Sequence, residues 1–380
     1  MLQDVKLETL AEPLLDWFTG HARVLPWREE PTPYRVWISE IMLQQTRVEA
    51  VKPYFERFTT ALPDVAALAA CPEDRLLKLW EGLGYYNRVR NLQKAALQVM
   101  EDYGGVIPGE YDELLKLKGI GHYTAGAVAS IAYGKYVPAV DGNVLRILTR
   151  VTADDTDIMK QSFRSEMERA LLEAMQKLSI SNGLTGRLRD KNIPGALNQA
   201  MMELGATVCV PNGAPLCGEC PWREVCLAKK ENRTGEIPAK SRAKARKIEA
   251  RTVLILRDGD KVAIKKRPKK GLLAGLYELP NVEGALAQEE ALALVKQMGL
   301  APVRIEKLAP AKHIFSHVEW HMGGYAVLLE GTDTEQISTD GGLLFVEAED
   351  AKERYAIPSA FAAYAGYMNI RLGNDRFAEN

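Results

Sequence analysis

At 380 residues and 47% hydrophobic content the chain can bury the cores of two or three domains, which excludes wholesale disorder. A formal net charge of −1 excludes a global positive field, so any nucleic-acid surface must be a local concentration of cations. The charged amino-terminal stretch and the lack of any run of about 18 apolar residues predict a soluble, cytoplasmic protein without membrane association.

From Leu7 to about Lys230 apolar residues recur at helical spacing, with Gly and Pro between the segments, which predicts a mainly α-helical region. Within it "YRVWISEIMLQQTRVEAV", Tyr34 to Val51, reads as one amphipathic helix. Glu40 shares its face with Val36, Trp37 and Leu43, which predicts a carboxyl among apolar neighbours with a raised pKa; an arginine partner is the ordinary alternative. "GLGYY" puts aromatic rings after a flexible turn, where a core tyrosine is the plain reading. In "LKGIGHYTAGAVASIAYGKYVPAVDGNV", Leu117 to Val144, Gly119 and Gly121 can free helix-start amides to meet a phosphate, or can simply turn the chain between packed helices. Asp141, just before "GNVLRILTRV", suits a helix cap, and a helix start favours its ionised form.

Four of the five cysteines crowd between Cys209 and Cys226, with gaps of seven, two and five residues, which reads as a metal site rather than a disulfide framework. One close pair, Cys217 and Cys220, flanked by the single Cys209 and Cys226, favours an iron-sulfur cluster, with zinc as the competitor. Cys71 stands apart. The stretch Ala239 to Arg251 carries six Lys or Arg and one Glu with little to bury, so residues 233–250 are expected to be an exposed basic linker between a helical domain, 1–232, and an α/β domain, 251–375. In the latter, "RTVLILRDGDKVAIKKR" predicts two strands across an Asp-Gly turn and "ALAQEEALALVKQMGL" a helix. "KHIFSHVEWHMGG", Lys312 to Gly324, reads as a polar hairpin tip.

"LKGIGHYTAG" is similar to the helix-hairpin-helix element of base-excision DNA glycosylases, here at about 112–133, and the aspartate about twenty residues beyond it matches their active-site carboxylate. With "LPWR", "SEIMLQQTRVEAV", "GLGYYNRVRNL", "VDGNV", "NQAMMELGA" and the cysteines, the chain resembles MutY-type adenine DNA glycosylases over nearly its full length. The resemblance implies a monomer that binds duplex DNA carrying adenine opposite 8-oxoguanine or guanine, and one 4Fe-4S cluster on Cys209, Cys217, Cys220 and Cys226. It makes Glu40 a general acid toward adenine N7 and Asp141 the carboxylate that stabilises or traps the cationic sugar, with Tyr123 and Asn143 in support. Tyr123 stands where the endonuclease III branch has a Schiff-base lysine, so no efficient strand-cutting step is expected.

By the same resemblance Arg28, Trp27 and Gln199 line the adenine pocket, and Gln45 and Tyr85 fill or prop the gap left by the extruded base. Leu43, Thr46 and Leu83 are neighbouring substrate contacts, and Gly119 and Gly121 meet the backbone. The last domain resembles the Nudix fold, but its helix reads "AQEEALALV" in place of Arg-Glu-x-x-Glu-Glu, so it should bind and not hydrolyse. Its Phe315, Ser316 and His317 map onto the loop that approaches the lesion strand, and "KKRPKKG" is either a phosphate contact or a solvated loop. Two features depart from the family: the gap after Cys209 is one residue longer than in the best-known members, and "SNGLTGRLRDKNIPG", Ser181 to Gly195, has no assigned place. An endonuclease III-like enzyme for oxidised pyrimidines and a non-enzymatic structure-specific DNA-binding protein are the alternatives.

Overall fold

The computed structural model describes residues 7–180, 192–241, 245–330 and 342–368. Most of the unassigned stretch, Ser181 to Lys191, and the end of the expected last domain lie outside the described residues. The chain divides into two compact units, one of residues 1–70 with 90–242, the other of residues 71–89 with 243–380.

The first unit is helical throughout its described residues. At its centre the helix Gly142–Thr152 is buried from Val144 to Val151 and packs against Leu10, Leu14, Leu197, Leu204 and Trp222. A helix buried this completely has few ways to carry charge, so its two arginines, Arg146 and Arg150, must find acceptors inside the protein. The helix-hairpin-helix element comprises Tyr111–Leu114 and His122–Tyr133. Gly119 in its turn has φ +79°, and a Cβ there would stand 2.6 Å from the Cβ of Asn91, so both conformation and space require glycine.

The helix expected from Tyr34 to Val51 is two helices, Pro33–Leu43 and Val48–Ala61. The break falls at "QQTR": Gln45 takes a left-handed φ of 58°, and the Thr46 amide donates back to Leu43 O at 3.2 Å. No Gly or Pro marks this break, so the periodicity ran straight across it.

Among the described residues the second unit is built on one mixed eight-stranded sheet: β1 (Lys247–Asp258), β2 (Lys261–Lys266), β3 (Tyr277–Glu278), β4 (Asn281–Glu283), β5 (Pro302–Lys307), β6 (Ala311–Ile314), β7 (Val318–Leu329) and β8 (Leu343–Glu347). Its central order is β3-β2-β1-β7-β5, with β1 and β7 parallel from Lys247↔Val318 to Arg257↔Leu328 and β1 and β2 antiparallel across the Asp258–Lys261 turn. Along β1, Val253 and Ile255 enter one core and Leu254 and Leu256 the other, so the strand is apolar without alternation and both faces are covered. The helix Gln288–Gln297 covers one face and the 3-10 segment Ser359–Met368 the other.

The stretch 233–250, expected to be linker throughout, has structure at both ends. Ile237 is buried in the first unit, where its carbonyl accepts from Arg150 Nε at 2.8 Å, and β1 already begins at Lys247. Strand pairing to β7 holds that first part of β1 despite its exposed charges, which local composition cannot reveal.

Candidate active site

A cavity of about 590 Å³ in the first unit is lined by Trp27, Arg28, Glu40, Leu43, Gln45, Thr46, Tyr123, Asp141, Asn143 and Gln199, residues that the sequence scatters over more than 170 positions. Glu40 reaches it from the helix Pro33–Leu43, which starts on Pro33 with Thr32 as its cap and buries Tyr34 and every residue from Val36 to Met42. The Tyr123 hydroxyl hydrogen-bonds Glu40 Oε2, and lies 3.1 Å from Met202 Sδ. Burial raises the Glu40 carboxyl to about 7; the Tyr123 hydrogen bond opposes this, the charge of Asp141 adds to it, and Arg28 opposes it. A carboxyl so placed is substantially protonated at neutral pH and can act as an acid. Burial also drives the Tyr123 phenol well above its ordinary value, so it stays a neutral donor.

Asp141 caps the helix Gly142–Thr152. Its Oδ1 accepts from the Asn143 and Val144 amides, both at 2.8 Å, and its Oδ2 from Asn143 Nδ2 at 2.7 Å. The helix start was expected to hold this carboxyl in its ionised form, yet its pKa is pushed up: burial outweighs the Val144 and Asn143 hydrogen bonds and the Arg146 charge. All three hydrogen-bond donors are N–H groups, which a carboxylate can satisfy.

Asn143 is itself held. Its Oδ1 accepts from Arg146 Nη2 at 2.7 Å, and that guanidinium also donates to Gly205 O and Cys209 O. Gly205 passes so close that a Cβ there would stand 2.6 Å from the Asn143 Cβ. Arg150, one turn further on, places Nη1 3.2 Å from Cys209 Sγ. Asn143, Arg146 and Arg150 form one stripe on the helix, running from the Asp141 carboxylate to the cysteines.

Sequence reasoning missed Arg146, Arg150 and a second buried acid, Glu203. Glu203 is 1% exposed and receives Arg23 Nε at 2.6 Å, Arg23 Nη2 at 2.9 Å and Arg28 Nη2 at 2.9 Å. Burial pushes its carboxyl up, but the Arg23 bond and the Arg28 charge hold it below the ordinary range, so this acid is a structural anion that orients Arg28. The signal was available in "NQAMMELGA", where one acid sits among apolar residues just as Glu40 does.

Cys209, Cys217, Cys220 and Cys226, all free thiols, line a second cavity of the first unit, against Arg150, Val208 and Trp222. Burial pushes the Cys220 thiol to about 12, with the Trp222 amide opposing this and the other three cysteines adding to it, so this thiol ionises near neutral pH only beside a cationic group. Among the described residues no three His, Cys, Asp or Glu side chains are grouped to hold a single metal ion.

Leu83, Tyr85, Phe315, Ser316 and His317 belong to the second unit. Tyr85 has a left-handed φ of 48° and is 47% exposed. Phe315 packs edge-on to Trp320 at 4.9 Å and His313 at 4.5 Å, while Ser316 and His317 are exposed at the tip between β6 and β7. Gly119 and Gly121 lie in the hairpin turn, and neither lines the Glu40 cavity.

A family model described as "HhH-GPD superfamily base excision DNA repair protein" matches residues 38–175, and a NUDIX domain model matches residues 251–365. The first match and the curated relatives define the class, a base-excision DNA N-glycosylase. Curated relatives include the adenine DNA glycosylases of Rattus norvegicus, 33% identical over 92% of this chain and 77% of the relative, and of Homo sapiens, 32% identical over 93% and 73%. That of Buchnera aphidicola subsp. Acyrthosiphon pisum is 31% identical over 83% of this chain and 85% of its own. The chain belongs to the adenine DNA glycosylase family.

Proposed function

We propose that the protein hydrolyses the N-glycosidic bond of adenine mispaired with 8-oxoguanine, or with guanine, in duplex DNA. The observation that carries the reading is the pairing of two unlike carboxyls at one cavity: Glu40, buried and raised to about 7, and Asp141, held by three N–H donors. Glu40 gives its proton to adenine N7, the C1′–N9 bond breaks, and neutral adenine departs. The positive charge left on the sugar faces Asp141 until water adds at C1′ and passes its proton to the Glu40 carboxylate. Tyr123 keeps the Glu40 carboxyl in place, and Asn143 with Arg146 keeps Asp141 in place. Gln199 and Arg28 offer polar contacts to the base, and Trp27, 6% exposed, forms an apolar wall. The reading assigns Gln45, with Leu43 and Thr46, and separately Tyr85, with Leu83, to the gap left in the stack, and the amides around Gly119 and Gly121 to the backbone.

The exposed Ser316 and His317, on the loop anchored by Phe315, read the opposite base. 8-Oxoguanine differs from guanine by a carbonyl at C8 and a hydrogen on N7, and a hydroxyl can both donate and accept at that edge. The reading includes action as a monomer in the cytoplasm. No helix among the described residues is long and apolar enough to cross a membrane.

Duplexes with adenine opposite 8-oxoguanine or guanine test this reading. Free adenine should appear, with strand cleavage only after alkali; cleavage without alkali would mark a lyase, and binding without release a non-enzymatic protein. Replacing Ser316 and His317 together with Ala should leave adenine release intact and reduce the preference for 8-oxoguanine about tenfold, the worth of one or two hydrogen bonds. An equal loss on both mispairs would make the loop a general DNA contact.

The reading also assigns a 4Fe-4S cluster to Cys209, Cys217, Cys220 and Cys226. Bound there, the cluster would supply the charge that keeps these thiolates ionised and would tie the 209–226 segment together. The purified protein should be brown, with iron and sulfide in equal amounts, and Cys217→Ser should lose the colour. Stoichiometric zinc in place of iron would contradict the assignment.

A further inference from the structure

The segment Cys71–Val89 lies within the sequence span of the helical domain but is packed as part of the carboxy-terminal unit. Its helix Glu73–Leu79 leads into the turn that carries Leu83 and Tyr85. That turn is firmly built: Trp80 Nε1 donates to Gly84 O at 3.1 Å, and Arg88 Nη2 donates to Leu83 O at 3.0 Å and Gly84 O at 3.2 Å. The Arg88 guanidinium lies 5.3 Å from the Trp80 ring centroid and 5.5 Å from that of Tyr85. The left-handed Tyr85 backbone is thereby held with its ring half out in solvent.

The same segment grips the strap Tyr355–Ile357. On one edge of the strap, Ala356 O accepts from the Tyr277 amide of β3 at 3.0 Å. On the other edge, Lys78 Nζ donates to Tyr355 O at 3.0 Å and Glu81 Oε1 accepts from the Ile357 amide at 2.8 Å. One carbonyl and, two residues on, one amide are thus satisfied as a neighbouring β-strand would satisfy them, but by two side chains three residues apart. Lys78 and Glu81 also pair with each other at 2.6 Å, and Asp74 adds an outer contact to Lys266 at 2.8 Å. Glu81 is 9% exposed and Ile357 1% exposed, so a carboxyl paired with a lysine has been buried against the edge of a core.

We propose that Glu81 and Lys78 are positioning residues that clip the Leu83–Tyr85 turn to the Tyr355–Ile357 strap, so that the residue filling the gap in the DNA stack is set by the domain that reads the opposite base. The proposal rests on the roles assigned to Tyr85 and to the Phe315–His317 loop in the proposed function. Its distinct content is that the turn keeps its geometry only while the strap is gripped. Removing the Glu81 carboxylate leaves the Ile357 amide without its acceptor and Lys78 with only its bond to Tyr355 O, whereas Glu81→Gln keeps an acceptor for the amide.

The test uses the full-length protein and two readouts, amide hydrogen exchange and single-turnover adenine release from the 8-oxoguanine mispair. Glu81→Ala should speed exchange at Ile357 and at the Leu83 and Arg88 amides, which donate to Trp80 O at 3.1 Å and Tyr85 O at 2.9 Å, and slow adenine release, each about tenfold, the worth of one buried hydrogen bond to a charged group. Glu81→Gln should stay within about threefold of the unaltered protein. In a Tyr85→Ala background, Glu81→Ala should cost less than about twofold more, because the clip acts through that ring. Faster exchange at Ile357 with no change at Leu83 and Arg88 would overturn the proposal, as would an equal loss of release in both backgrounds. If Tyr85→Ala alone leaves release unchanged, the stack-filling role of Tyr85 fails, and the exchange at Leu83 and Arg88 still decides whether the clip sets the turn.

Discussion

Glu40→Gln is expected to bind mispaired duplex normally and to release adenine roughly a thousandfold more slowly, within the range of a lost general acid. The amide matches the carboxyl in shape and can still accept from the Tyr123 hydroxyl, but it has no proton to give to adenine N7. Single-turnover release measures the effect, and a rate within tenfold of the unaltered enzyme would remove Glu40 from the chemistry. The pH dependence follows in sign. The active form pairs a protonated Glu40 with an ionised Asp141, so release by the unaltered enzyme should fall as pH rises through about 7 and fall again at acid pH as Asp141, its pKa raised by burial, takes up its proton. The variant should lose the first of these falls.

The same raised pKa makes Glu40 a stability liability. A carboxyl at about 7 in the folded protein and near 4.5 in the unfolded chain favours folding below about 4.5, and that contribution is lost as pH rises to 7. At pH 8 the folded protein carries a penalty on the order of 3 kcal/mol at this one residue. Glu40→Gln should therefore melt higher than the unaltered protein at pH 8 and at about the same temperature at pH 5. Thermal unfolding at the two pH values checks it.

Asp141→Asn is the second large effect, an expected loss of roughly 100- to 1,000-fold in release, comparable to removing one preorganised electrostatic partner of a transition state. Asparagine is as good a helix cap as aspartate and its one oxygen can keep the Asn143 and Val144 amides, so the helix Gly142–Thr152 should persist, with a small fall in melting temperature from the lost Asn143 Nδ2 bond. The large loss is that of the sugar cation's counter-charge. Unchanged activity with unchanged stability would leave Asp141 as a cap and nothing more. A parallel fall in both would mean that its three hydrogen bonds serve mainly the fold.

By itself the sequence determined the order of the parts, a helical region followed by an α/β domain, because helical spacing, the Asp258-Gly259 turn and the apolar runs of β1 and β2 are local signals. It also singled out Glu40, Tyr123 and Asp141: an acid among apolar residues and an aspartate before a helix are visible in a few residues, and the family motif supplied the tyrosine. It did not show the break at Gln45, because a left-handed residue without Gly or Pro leaves no trace in a periodic pattern. Nor did it show what supports the acids. Glu203 meets Arg23 and Arg28 from 180 and 175 residues away, and the Arg146 guanidinium reaches Gly205 O and Cys209 O from 59 and 63 residues away. Only the tertiary structure decided those pairings, and with them the raised pKa of Glu40 and the assignment of Cys71–Val89 to the carboxy-terminal unit. The physical reason is common to all of them. Burial and partner choice depend on which distant segments are brought together, and a buried charge shows its cost or its compensation only once those neighbours are in place.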